Sequence, residues 1–186
     1  MEVFNSTKFI NTYGIDDTDF FTFIRSYNNT FTVLVRYYDI NLISKKDMQT
    51  VYNRYIYYKS IGLDLSSINN ELNNEYKTII SKLNGKLIKI TKVEVDYIGI
   101  TNFSMVFTGD FVTISLEGTV KQNITSNLPY IRNVPPSAYD NNDLFIPNSI
   151  GNSTSCEIRI NNAGDILLWS GVPAGRLRAT LTYKYK

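Results

Sequence analysis

Leu177-Arg-Ala-Thr-Leu-Thr-Tyr-Lys-Tyr-Lys186 is the stretch that decides the class of fold. Leu177, Ala179, Leu181, Tyr183 and Tyr185 alternate with Arg178, Thr180, Thr182, Lys184 and Lys186. A period of two puts one row on a core and the other in water. The same period recurs upstream. Val112, Ile114 and Leu116 alternate with Thr113, Ser115 and Glu117 behind a Gly109-Asp110 pair, and Cys156, Ile158 and Ile160 alternate with Glu157, Arg159 and Asn161. Asn161-Asn-Ala-Gly-Asp165 reads as a turn into a further strand over residues 166–169. Residues 87–97 are strand-like too, but Ile88 and Ile90 fall in one phase and Val93, Val95 and Tyr97 in the other, so a bulge or break is expected near Thr91. Leu128-Pro-Tyr-Ile-Arg-Asn-Val-Pro-Pro-Ser-Ala-Tyr-Asp-Asn-Asn-Asp143 contains three prolines, which fix φ and remove ladder donors. It is expected to cross the fold as an ordered loop. Together these features predict an antiparallel, jelly-roll-like β-sandwich over residues 86–186.

Upstream of Gly85 the period becomes helical. Leu65, Ile68, Leu72, Tyr76, Ile79 and Leu83 recur at intervals of three and four, with Asn69, Asn70, Asn73 and Asn74 on the other side. Residues 63–85 therefore read as an amphipathic helix, roughly 29 Å long over its stripe, closed by Asn84-Gly85. Two destinations are open for the stripe. It packs on its own domain, or it forms a short trimeric bundle between subunits, which about two and a half heptads sustain only with help from flanking domains.

Residues 1–62 read as an α/β part. Phe31, Val33, Val35 and Tyr37 have the spacing of a strand face. Ser44, with Asp47 three residues on, opens a helix expected to run to about Ser60 and stop at Gly62. Asp16-Asp-Thr-Asp-Phe-Phe fits a helix start or, through its aromatics, a strand.

Composition bounds the chemistry. The chain has 186 residues, 43% of them apolar and 19% charged, enough to fold one compact domain or a small domain with an oligomerising segment. It contains no His, which removes the usual general acid–base group near neutrality, the commonest metal ligand and every Ser–His or Cys–His pairing. One Cys, Cys156, excludes an internal disulfide. A net charge of +2 and no basic run longer than Lys45-Lys46 argue against a nucleic-acid partner. No signal peptide and no apolar stretch of membrane-span length is legible, so synthesis in a cytoplasm without membrane insertion is expected. No cofactor is expected.

The last eighty or so residues carry an order of features: the strand Asp110-Phe-Val-Thr-Ile-Ser-Leu-Glu-Gly118, Leu128-Pro129 with its Pro-rich continuation, Glu157-Ile-Arg-Ile-Asn-Asn-Ala-Gly-Asp-Ile166, Val172-Pro-Ala-Gly175 and a terminal Leu181-Thr-Tyr183. This series resembles the C-terminal β-sandwich heads of bacteriophage fibre and baseplate receptor-binding proteins. The resemblance implies a homotrimeric virion protein assembled in the host cytoplasm. Its heads would be distal and bind a cell-surface glycan or protein, and its N-terminal part would dock onto another virion protein. The long shaft common in such fibres has no counterpart here beyond residues 65–83 and 86–100. A capsid-decorating or connector protein without a receptor is the alternative.

A sugar-reading head would stack exposed aromatics on pyranose faces and hydrogen-bond their hydroxyls. Trp169, Tyr130, Arg132 and Tyr139 form the candidate patch; Trp169 also reads as core between the sheets, and Tyr130 and Tyr139 as a loop packed on the sheet or on a neighbouring subunit. Arg176 and Arg178 read as solvated or intersubunit cations. Asp140-Asn-Asn-Asp143 and Asp16-Asp-Thr-Asp19 offer hard oxygen ligands, yet neither matches a full calcium loop, and a polar turn and a helix cap explain them better. The enzymatic chemistry left open by the missing His is a carboxylate pair cleaving glycosides, for which Glu94, Asp96, Asp110, Glu117 and Glu157 are the strand carboxylates. Carboxylates facing solvent are the default reading, and no enzyme activity is expected.

Overall fold

The computed structural model describes residues 4–89, 94–95, 98–126, 128–139, 144–150, 154–168 and 172–186. The chain has mixed helix and strand content and divides into two compact units, Met1–Leu83 and Asn84–Lys186. The boundary falls at the end of the residue 63–85 segment, so that segment belongs with the first unit rather than standing between two others.

The described part of the first unit is helical: α1 Ser6–Tyr13, α2 Thr18–Ser26, α3 Thr30–Tyr37, α4 Lys45–Ser60, α5 Leu65–Glu71 and α6 Asn73–Ser81, with a 3₁₀ turn at Ile40–Leu42. Each of the first five helices opens on a side-chain cap. Asn5, Asp17, Asn29, Ser44 and Asp64 accept from the backbone amides of Lys8, Phe20, Thr32, Asp47 and Ser67. Each cap satisfies one of the donors a helix start leaves without a partner. The core between the helices is built from rings. Phe9 lies 4.7 Å from Tyr13, Phe20 5.1 Å from Tyr55 and Phe23 4.9 Å from Tyr55, centroid to centroid. The Tyr13 hydroxyl donates to the carbonyls of Ile40 and Ile43, which ties α1 to the 3₁₀ turn.

Two expectations are corrected here. The α/β reading of residues 1–62 gives way to helices, because the alternation over Phe31, Val33, Val35 and Tyr37 is one of residue type and not of burial. Thr30, Thr32 and Leu34 between them are as buried as Phe31, Val33 and Val35. A fully buried segment has no solvent face to fix a period, and the reciprocal capping box of Asn29 with Thr32 starts a helix there. Second, the apolar stripe is not available to a trimeric bundle. The helix is interrupted at Leu72, and α5 and α6 pack against α4. Ile68, Leu72, Tyr76, Ile79 and Leu83 are all buried within the single chain, and Tyr76 stacks on Phe31 at 4.4 Å. Of the six stripe residues only Leu65 stays exposed, as Tyr57 and Ile61 do. The α4 reading agrees with the structure: Ser44 caps, Ser60 is the last helical residue and Gly62 follows at φ 83°.

The second unit is antiparallel β. Its strands are β1 Ile88–Lys89, β2 Glu94–Val95, β3 Ile98–Thr108, β4 Phe111–Val120, β5 Leu128–Ile131, β6 Leu144–Ile150, β7 Thr154–Ile160, β8 Ile166–Leu168 and β9 Gly175–Lys184. Hydrogen-bonded neighbours follow the order β1-β3-β4-β9-β6-β7-β8-β5, with β2 also on β3. The break expected near Thr91 lies outside the described residues, between β1 and β2. The first half of the Pro-rich segment is corrected: Leu128 and Pro129 belong to strand β5, paired with β8 alone among the described strands, and the loop starts at Arg132. An edge position tolerates a residue without an amide donor.

Register fixes what faces water. Val112, Ile114, Leu116 and Val120 of β4 and Leu177, Ala179, Leu181 and Tyr183 of β9 are buried. The intervening residues point the other way, with Thr113 opposite Thr182, Ser115 opposite Thr180 and Glu117 opposite Arg178. Gly109, at φ 57°, makes the tight β3–β4 connection, and the Asn84 side chain accepts from its amide at 3.1 Å.

Candidate functional site

Among the described residues of the β unit, the Pro-rich loop is held by bonds from two directions. Asn133 takes a left-handed conformation, φ 66°, and turns the chain out of β5. Val134, Pro135, Pro136 and Ser137 are then buried in succession. A buried loop must find partners for its backbone polar groups, and here they come from two directions. Toward the 161–165 turn, Val134 N donates to Gly164 O at 3.1 Å and Ser137 N to Asn161 O at 3.3 Å. Toward the C-terminus, Ala138 N donates to Lys184 O and Lys186 N donates to Pro136 O, both at 2.9 Å. The buried Tyr183 hydroxyl donates to Pro135 O at 2.7 Å.

The turn that receives the loop is itself ordered by one side chain. Asn161 Oδ1 accepts from the amides of Ala163 at 3.0 Å and Asp165 at 2.8 Å. Gly164 then sits at φ 78° with the Val134 carbonyl oxygen only 2.4 Å from where a Cβ would be. Glycine is required there twice over, by conformation and by space. Below the loop, the Tyr185 hydroxyl donates to Gly109 O at 3.0 Å; burial first, then the Asp110 charge, raises its phenol above the ordinary tyrosine value.

This clamp positions two of the four candidate ligand residues. Arg132 leads into the buried segment and Tyr139 leads out of it; both are exposed, Tyr139 by 50%. The Tyr139 amide donates to Ser137 Oγ at 3.2 Å, which fixes its backbone at the rim. Tyr130 belongs to β5, and its side chain lies outside the described residues, as does Trp169. The structure therefore places Arg132 and Tyr139 on one clamped loop, and the other two side chains lie outside the described residues.

The other candidates resolve as structural groups where they are described. Asp17 Oδ1 caps α2 while Oδ2 accepts from Tyr52 at 3.0 Å, and Asp19 pairs with Lys59. Glu117 is held by Arg178 at 2.7 Å across the β4–β9 ladder. Asp110 lies in the tight turn before β4. Asp140-Asn-Asn-Asp143, Asp96 and the side chains of Glu94 and Glu157 fall outside the described residues.

Sequence reading missed the outward rows of β3, β4 and β9 as a surface in their own right. Their signal was present as the polar half of each alternation, but which polar residues stand side by side depends on register. No family model matches the chain, and no curated protein matches it at a significant level.

Proposed function

We propose that this chain is a non-enzymatic bacteriophage virion protein that attaches the particle to the host surface through its C-terminal β unit. In this reading the helical unit docks onto another virion protein. The β unit closes as a jelly-roll-like sandwich and forms the distal head of a homotrimer. The observation that carries the reading is the clamped loop: a buried Pro-rich segment holds Arg132 and Tyr139 at an exposed rim. Rigid display suits recognition, because little side-chain and loop freedom is then lost on binding. Attachment would work by avidity, since each engaged head raises the effective concentration of the next. Because Ile68, Leu72, Tyr76, Ile79 and Leu83 are covered within the chain, contacts between subunits would have to come from other surfaces.

The test uses the purified full-length chain, labelled and incubated with bacterial cells and with isolated cell-wall polysaccharide. The expected result is saturable binding that Arg132→Ala and Tyr139→Ala each weaken, with no release of reducing sugar, and a particle of three chain masses by light scattering. Absence of binding by a folded trimer would favour the decorating or connector role. Release of reducing sugar would establish an enzyme instead.

A further inference from the structure

The outward face of β4 and β9 is a second built surface. Thr113 and Thr182 hydrogen-bond across the strands at 3.0 Å, and Ser115 faces Thr180 one row along. Hydroxyls therefore line the middle of the face in register. Arg176 and Lys184 stand exposed on β9 at its two ends, about 27 Å apart at roughly 3.4 Å per residue. Arg178 between them is paired with Glu117. Phe111, 48% exposed, closes the Lys184 end.

We infer that this face binds an acidic polysaccharide, a polyhydroxylated chain bearing widely spaced carboxylates, laid along β9. The assignment rests on the attachment reading only for where such a polymer would be met. Charge and spacing select the occupant. Apart from Arg178, which Glu117 neutralises, the exposed cations of β9 are at its ends and suit anions far apart, whereas a nucleic-acid strand carries one charge about every 3.4 Å and would place roughly eight on a face of this length. The hydroxyl rows between the cations offer donors and acceptors that match sugar hydroxyls. Phe111 adds an apolar edge on which a ring face can rest. An arginine is suited to a carboxylate through its two parallel donors.

Binding of the full-length chain to dextran carboxymethylated on a small fraction of its sugars, to unmodified dextran of similar length and to polyphosphate tests the assignment by calorimetry. The sparsely carboxymethylated dextran is expected to bind, more weakly as salt rises, and unmodified dextran to bind much less. Arg176→Glu with Lys184→Glu is expected to weaken binding by about tenfold or more, the scale of a lost charge-assisted contact. Thr113→Val with Thr182→Val keeps β-branched side chains in the strands, so the fold is retained, and is expected to weaken binding severalfold. Equal affinity for polyphosphate with no effect of the Val pair would overturn the inference in favour of plain charge attraction. So would binding unaffected by the Glu pair, or no binding to the carboxymethylated dextran. Cell adsorption is scored in parallel. Adsorption without binding of the carboxymethylated dextran overturns the face assignment alone; binding of it without adsorption upholds the assignment and counts against the attachment reading.

Discussion

Among the described residues, 1–83 and 84–186 each bury an apolar core, but the bonds that start their elements and hold their loops span different ranges. In the helical unit five helix starts are satisfied locally, each by a cap that reaches an amide three residues away, while bonds such as Tyr13 to Ile40 and Tyr52 to Asp17 join the elements. In the β unit the strands and the Pro-rich loop find their partners far along the chain. Thr113 meets Thr182, Tyr183 reaches Pro135, and the Ala138 amide donates to the Lys184 carbonyl. The cores differ as well, with a cluster of Phe and Tyr rings in the first and mainly Ile, Leu and Val rows in the second. A local error in the first unit removes one cap or one ring. A one-residue slip in the second moves every side chain of a strand to the opposite face.

The largest expected effect tests whether the units fail separately. Phe31 is fully buried and stacks on Tyr76. Phe31→Ala is expected to destabilise the helical unit by about 3–5 kcal/mol. Hydrogen exchange should quicken through α3, α5 and α6 while amides of β3, β4 and β9 keep their protection. Leu181→Ala, expected to cost about 2–5 kcal/mol, should reverse the pattern. If either variant loosens both units equally, the two do not fold as separate bodies and the comparison collapses.

This contrast also explains what the sequence could show. The β4 and β9 rows and the cap at Ser44 were legible because one side of each segment faces water, and water enforces a period. Thr30 to Val35 was not, because burial on all sides erases the period and leaves only residue type, which favoured a strand. The 65–83 stripe was read correctly as apolar, but sequence holds no information on whether α4 or a second chain covers it. Arg132 and Tyr139 could be named as candidates from their loop, but not their exposure. Their clamp could not, since Gly164 and Tyr183 lie tens of residues away and meet the loop only in the folded chain.

Two glycines sharpen the comparison at intermediate size. Gly62, after α4, and Gly164, at the loop clamp, have nearly the same backbone, φ 83° and 78°. A Cβ at Gly62 would meet nothing within 4 Å, whereas at Gly164 it would lie 2.4 Å from the Val134 oxygen. Gly62→Ala is therefore expected to carry only the conformational penalty, about 1 kcal/mol. Gly164→Ala adds a steric one and should reach about 2–4 kcal/mol. It should also expose the amides of Val134 and Ala138 to exchange and weaken any binding that depends on Tyr139. Equal effects at the two positions would mean that the loop gives way freely and the clamp is not rigid.

The smallest effect is a difference in acid. Burial alone would raise the Asp47 carboxyl, but hydrogen bonds from Lys82 and Ser44, with the lysine charges, outweigh it and hold the group below its usual value. The backbone amide of Ser67 and the Ser67 side chain likewise lower Asp64. A carboxyl whose folded value is depressed stabilises the fold above its unfolded value, and that contribution is lost as pH falls through the folded one. Both groups belong to the helical unit, so acid should weaken it between about pH 4 and the depressed values. Tyrosines with raised values lie in both units, Tyr13 and Tyr76 in one and Tyr185 in the other, mainly through burial. A raised phenol favours the fold below its unfolded value and ceases to as pH rises through the folded one, so alkali should strain both units. For Asp47 the pair with Lys82 is shared with water and contributes under about 1 kcal/mol. Asp47→Asn should accordingly flatten the acid limb of the helical melting curve without moving its neutral midpoint by more than a few degrees. An acid limb that keeps its slope in Asp47→Asn would assign the sensitivity to other carboxyls, and one that appears equally in the β-unit signal would remove the distinction between the units.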